Sequence, residues 1–244
     1  MEKYTAVIIE PRIHSAWKLV LKNFLTNLDK RWDFLIVCGL LNKDFLVDLI
    51  ETNFKEHKHR ITIHQLNVEN FVSREYSNFM VEPFIYELIP TETFLIFQID
   101  TLISAKYNHY IYDFIQYDYV GAPWRPGILV YDYEKMDVLV GNGGLSLRKK
   151  TAMLNIIKND VTNTRYKDNI NEDIFFSKNI KNKPSVEKAQ LFSVETIFSE
   201  KSFGIHNCHK WITYEQIYKI SEHIPDFIDL IYFINKIIKI DYNY

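Results

Sequence analysis

Through the first hundred residues, short apolar runs alternate with segments in which apolar side chains recur every three or four positions. Residues 5–9 read as a buried strand. Ser15 is placed to cap a helix that carries Trp17, Val20, Leu21, Phe24 and Leu28 on one face, and residues 34–38 form the next strand, completing a βαβ unit. A second helix over 42–54 presents Phe45, Leu46, Leu49 and Ile50, and a strand over 61–66 follows. A third helix over 73–88, kinked by Pro83, leads into a strand over 94–98. This alternation predicts an α/β fold with a mostly parallel, Rossmann-like central sheet flanked by helices.

Beyond Asp100 the texture changes to aromatic, loop-rich sequence around Tyr117, Tyr119 and Trp124. An alternating run, Leu145 to Arg148, precedes helices over 149–158, 172–178 and 186–197. The segment 225–240 carries a broad apolar face of Phe227, Ile228, Ile231, Ile234, Ile237 and Ile238. It is expected to pack on the domain, with an interfacial helix or a homo-oligomer contact as the alternatives. With no repeat, low-complexity tract or linker, the expectation is one domain over 1–244. The texture divides it at about residues 100 and 211, with C-terminal helices over 212–244.

Composition narrows this only a little. The chain is 47% hydrophobic and 25% charged, an ordinary globular balance, and its net charge of −2 offers no general attraction to nucleic acid. Cys38 and Cys208 are too few for a disulfide framework, and their spacing matches no zinc motif; the cytoplasm is the expected compartment. The first residues enter a strand at once and leave no room for a signal peptide. No apolar stretch approaches the ~18 residues of a membrane span.

Glycine is scarce. Three of only seven fall at Gly141, Gly143 and Gly144, while Gly121 and Gly127 flank the Trp124 loop and Gly204 precedes His206 by two residues. Such a cluster marks either a bulged hairpin or a place where something approaches the backbone closely. Asp100 ends an apolar strand, where ligands collect in open α/β sheets, although a turn residue would read the same way. Asn171, Glu172 and Asp173 suit a helix N-terminus, so capping alone accounts for them. His206 and His209 lie three apart, a spacing more often structural than metal-binding.

Taken in order, a strand-terminal Asp, a glycine-rich turn, a Glu-Asp pair and a late Gly-x-His resemble the GT-A type of nucleotide-sugar glycosyltransferase. The strings Phe97-Gln98-Ile99-Asp100-Thr101, Gly121-Ala122-Pro123-Trp124, Gly141 to Arg148, Glu172-Asp173 and Phe203-Gly204-Ile205-His206 look like successive motifs of a little-characterised GT-A-like family. The resemblance runs from Ile9 to His206 and implies a nucleotide-binding half over about 1–100 and a sugar and acceptor half over about 101–211. It departs from the common pattern at Gln98, which stands where many such enzymes carry the first Asp of an Asp-x-Asp pair, leaving one carboxylate in the motif.

The resemblance implies transfer of a sugar, a hexose by preference, from a nucleotide-sugar donor to a hydroxyl of a carbohydrate or glycoprotein acceptor. UDP is the commonest donor nucleotide in such enzymes. Asp100 and His206 would hold Mn²⁺ or Mg²⁺ on the donor diphosphate, with Lys210 adding positive charge. Glu10 and Arg12 would receive the nucleotide, and Gln98 would bond the ribose or a water. Asn142, Gly143 and Gly144 would wall the sugar, Asp173 or Glu172 would face the acceptor nucleophile, and Trp124 would offer an acceptor sugar its aromatic face. Two other readings stand beside this one. A binding module without turnover would account for the missing carboxylate. Nucleotidyl transfer would require a glycine-rich phosphate loop after the first strand, where residues 10–14 contain no glycine.

Overall fold

The computed structural model describes residues 2–126, 139–164 and 170–241, the last six of these as backbone only. Gly127 and the side chains of Ile237 and Ile238 therefore lie outside the described residues.

Strands β1 (Tyr4–Ile9), β2 (Trp32–Cys38), β3 (Ile61–Gln65) and β4 (Thr93–Phe97) lie parallel, with β1 between β2 and β4. Along the three inner strands, alternate side chains enter two separate cores: Ala6, Ile8, Phe34, Ile36, Leu95 and Phe97 face one, and Val7, Leu35, Val37, Phe94 and Ile96 the other. Burial on both faces explains why these strands read as unbroken apolar runs. On the first face pack α1 (Trp17–Asn27) and α2 (Lys43–Asn53). The second face is covered by α3 (Ser73–Met80), α4 (Pro83–Leu88), α5 (Lys150–Asn159) and α6 (Glu172–Asn179).

Two further strands complete the six-stranded sheet in the order β3-β2-β1-β4-β7-β6, where β6 is Tyr119–Gly121 and β7 is Leu145–Lys149. β7 runs antiparallel to both neighbours, so the sheet is mostly parallel, as expected, with an antiparallel edge. A small second sheet, β5-β9-β8, is built from Thr101–Ile103, Gly204–His206 and Ser193–Val194. Helices α8 (Tyr214–Ser221) and α9 (Phe227–Asp241) follow α7 (Val186–Ala189) in the chain. Phe227 and Leu230 of α9 are buried in the first core, with Ile231 and Ile234 partly buried against it, while Ile228 is exposed.

Three local expectations need correcting. Ser15 does not cap α1: the helix begins after Ala16, whose N–H donates to His14 Nδ1 at 3.0 Å. The helix expected over 73–88 is two helices, because Pro83 takes the first position of α4, where its missing N–H costs nothing. The helix expected over 186–197 ends at Ala189, and Ser193–Val194 is a strand parallel to β9. Val194 is fully buried there beside Ile205, so strand pairing and burial override the expected helix.

Candidate functional site

The register of the two sheets assembles a cleft at the end of β4. Phe97 pairs with Leu145, and one residue further on Gln98 N–H donates to Gly144 C=O at 2.9 Å, bringing the glycine turn alongside the strand-terminal motif. In the small sheet Thr101 pairs with His206, and Val194 pairs with Ile205. The parallel β8–β9 register continued by one residue sets Glu195 beside His206, while Asp100, just before Thr101, falls opposite Asn207 and next to His206. His206 Nε2 lies 3.5 Å from Asp100 Oδ1, and Nδ1 lies 3.5 Å from Glu195 Oε1. Asn207, left-handed at φ 46°, turns the chain immediately after the histidine, and its N–H donates to Asp100 C=O.

Two adjoining hollows flank this pair, Asp100 lining one and His206 the other. One, of about 300 Å³, is lined by Ile9 to Arg12, Phe71, Ser73, Tyr76 and Gln98 to Asp100. The other, of about 230 Å³, is lined by Asn142 to Gly144, Asn171 to Asp173 and His206, and shares Ser73, Tyr76 and Gln98 with the first. Ten of the residues singled out from the sequence thus border one continuous cleft. Lys210 is exposed near it, its charge acting on Asp100. Trp124 is only 4% exposed, and its backbone N–H donates to Leu139 C=O. A buried ring offers no open face to a sugar.

At the entry side, Glu10 is buried and grips its neighbour: Oε1 accepts from Arg12 N and Nε, and Oε2 from Nη2 at 2.7 Å. The guanidinium edge is thereby held within the loop, while half of the side chain stays exposed. Asn42 fixes the same loop from behind. Its amide donates to Glu10 C=O and Arg12 C=O at 2.8 and 2.9 Å and accepts from Gly39 N–H. It was expected only as a helix start, since a side chain that binds distant backbone leaves no periodic trace.

The glycines answer to specific neighbours. Gly141 adopts φ +133°, and its C=O accepts from the Tyr119 hydroxyl at 2.6 Å. A β-carbon on Gly144 would lie 2.1 Å from His206 Nε2, and one on Gly143 would lie 2.5 Å from Glu172 Oε1. The imidazole and the carboxylates therefore press directly on the turn.

Glu172 and Asp173 diverge. Glu172 Oε1 pairs with Arg148 Nη2 at 3.1 Å, both side chains being buried. The Arg148 guanidinium also donates through Nε to Ser146 Oγ and lies over the Tyr119 ring at 4.9 Å. Asp173 instead reaches out of its own helix: Oδ2 accepts from Gly143 N–H at 3.1 Å while Oδ1 accepts from Ile174 N–H at 2.8 Å. Burial, then the charge of Glu172, pushes its carboxyl up to about 7 against the two backbone donors. A carboxylate with that pKa exchanges protons near neutrality.

Burial alone would raise the Asp100 carboxyl, but the positive charge of His206 outweighs it and holds Asp100 below its usual value. Burial likewise opposes the imidazolium, and Asp100, then Glu195, overcome it and push His206 up to about 10. A proton and a metal cation would compete for Nε2. Asp100 Oδ1 is buried without a hydrogen-bond partner, and beside Nε2 it makes an oxygen and nitrogen pair suited to Mn²⁺ or Mg²⁺. Among the described residues no three His, Cys, Asp or Glu side chains form a metal-holding group, so a cation at this pair would need its other ligands from diphosphate and water. No described helix is long and apolar enough to cross a membrane.

The sheet order, the antiparallel β7 and the cleft at the end of β4 define a GT-A-like fold, and solved glycosyltransferases share it. The galactosyltransferase LgtC, solved with donor and acceptor sugar analogues, superposes with a TM-score of 0.60 at 11% identity, over 90% of this chain and 96% of that one. The bifunctional glycosyltransferase WbbM superposes at 0.54 with 10% identity, over 94% and 51%. GlyE of Streptococcus pneumoniae TIGR4 gives 0.53 at 9% identity, over 89% and 56%. The chain thus spans nearly all of LgtC but about half the length of WbbM and GlyE. In sequence, the model of the family described as "Protein of unknown function (DUF5672)" matches residues 60–206, and the chain belongs to that family. No curated protein matches it in sequence.

Proposed function

We propose that the protein transfers a sugar, a hexose by preference, from a nucleotide-sugar donor to an acceptor hydroxyl. The observation that carries this reading is that two adjoining hollows are lined, one by Asp100 and the other by His206 and Asp173, with Asp100 and His206 3.5 Å apart. Such an arrangement suits a donor whose nucleotide lies along Glu10 to Arg12, whose diphosphate lies at Asp100 and His206, and whose sugar lies against Gly143 and Gly144. UDP is the preferred nucleotide, and a carbohydrate or glycoprotein the preferred acceptor.

Asp100 and His206 would hold Mn²⁺ or Mg²⁺. When bound, the cation supplies positive charge to the departing diphosphate. The chain's own residues do the rest. Lys210 adds a second positive charge on that side, and Gln98, which borders both hollows, offers an amide to the ribose or to a water. Asn142 accepts from Gly144 N–H and so keeps the sugar wall in place. Asp173 receives the proton of the acceptor hydroxyl as its oxygen attacks the anomeric carbon and the diphosphate oxygen leaves, the course of an inverting displacement. Such general-base assistance contributes typically ~10²–10⁴-fold in rate. Glu172, tied to Arg148, acts through its charge on Asp173.

Nucleotide sugars at about 100 times their Kd should stabilise the protein by about 2.7 kcal/mol. For a chain of this size that is a Tm rise of roughly 5–11 °C, larger with Mn²⁺ present than without. Asp173→Asn should abolish transfer and leave this stabilisation intact; no Tm response to any nucleotide sugar would refute the reading. One observation favours a binding module without turnover, namely Gln98 in place of a second carboxylate. That alternative predicts the Tm rise with no hydrolysis or transfer of the donor.

A further inference from the structure

We infer that Glu195 is the positioning residue of this site: its Oε1 ties the glycine turn to His206 and sets the imidazole with Nε2 toward Asp100. The role given to His206 rests on the reading above; the assignment of Glu195 goes beyond it.

Glu195 follows β8 directly, and the parallel register Ser193↔Gly204, Val194↔Ile205 places it beside His206. Its Oε1 accepts from Asn142 Nδ2 at 2.9 Å and stands 3.5 Å from His206 Nδ1. Asn142 Oδ1 in turn accepts from Gly144 N–H at 3.0 Å. The ring of His206 fills the space a β-carbon on Gly144 would need. Glu195, Asn142, Gly144 and His206 therefore form a closed circuit in which one carboxylate oxygen serves two walls of the cleft.

The unpaired atoms point the same way. His206 Nδ1 and Glu195 Oε2 are both buried and have no hydrogen-bond partner. A buried N–H without an acceptor is costly, and the carboxylate at ion-pair distance is the acceptor that the fold supplies. Where an imidazole binds a cation through one nitrogen, an acceptor on the other fixes its tautomer and orientation, and removing that acceptor typically weakens metal binding ~10–100-fold. A glutamine would keep a carbonyl oxygen at the Oε1 position, able to accept from both donors. A leucine would keep the bulk and remove the acceptor.

The test compares wild type, Glu195→Gln and Glu195→Leu in two measurements. First, Mn²⁺ is titrated in the presence of UDP, with free Mn²⁺ followed by electron paramagnetic resonance. Glu195→Leu should weaken Mn²⁺ binding by ~10–100-fold and Glu195→Gln should restore most of it. Wild-type affinity in the Leu variant, or equal loss in Gln and Leu, would overturn the inference. Second, the His206 Nδ1 proton is followed by NMR without metal. It should be protected from exchange in wild type and in Glu195→Gln, and unprotected in Glu195→Leu. An unprotected proton in wild type would overturn the assignment, and this measurement with the Gln variant carries the test even if Glu195→Leu does not fold. If the proton behaves as expected but wild type binds no Mn²⁺ with UDP, the proposed function fails while the positioning role of Glu195 stands.

Discussion

Glu172→Gln removes one negative charge and almost no volume from a pair that is fully buried. Arg148 is 0% exposed, and its guanidinium touches Glu172 Oε1, Ser146 Oγ and the face of Tyr119. Breaking a buried ion pair by neutralising one partner costs about 3–5 kcal/mol, because the other charge is stranded. The glutamine carbonyl can still accept from Nη2, so a loss of about 3 kcal/mol is expected. Against a stability of about 5–15 kcal/mol this is a large share, and for a chain of this size it lowers Tm by roughly 6–12 °C. The same change reaches Asp173. After burial, the Glu172 charge is the next cause of its elevation to about 7, so neutralising Glu172 lets Asp173 ionise at lower pH. Since the base works deprotonated, the acid limb of the transfer rate should move below 7. Thermal denaturation and a pH–rate profile on the same variant measure both effects, and adding Arg148→Met, which removes the stranded cation, should recover part of the stability. A Tm within about 2 °C of wild type together with an unmoved acid limb would refute the argument.

Two further predictions concern the same wall. Gly144→Ala places a methyl group 2.1 Å from His206 Nε2, so the ring must swing away from Asp100. The expected cost is about 1–3 kcal/mol of stability. Mn²⁺-dependent stabilisation by nucleotide sugars should be lost, and its survival in a calorimetric titration would detach Gly144 from the site. Asp173 has a folded-state pKa raised above the unfolded 3.8, so its contribution to stability is fully present below pH 4 and is lost as pH rises through about 7. Part of the carboxyl is open to the cleft, so the effect is about 1–3 kcal/mol rather than the full shift. Urea denaturation at pH 5 and pH 8 should show a steeper decline in wild type than in Asp173→Asn; parallel slopes would contradict the elevated pKa.

The strands of the parallel sheet were legible because both of their faces are buried. Ala6 to Ile9, Phe34 to Cys38 and Phe94 to Phe97 are continuous apolar runs, and the helices that cover them carry apolar side chains at helical spacing. Asp100, the glycine turn, Asp173 and His206 were legible for another reason: each sits where an element ends, and chain order alone sets them in sequence. Glu195 escaped because the helix expected over 186–197 covered it, whereas Val194, just before it, is paired with β9. The bond of Asn42 to the loop after β1, and the division of labour between Glu172 and Asp173, left no trace in spacing at all. Sequence by itself determined which segments bury their side chains and roughly where chemistry could collect, since burial periodicity is a local property. Only the tertiary structure decided which polar groups meet. The antiparallel β7 lays Gly144 beside Gln98, and the small sheet sets His206 between Asp100 and Glu195. Those contacts depend on register between strands distant in sequence or joined by a loop, as in Thr101 against His206, which no local pattern encodes.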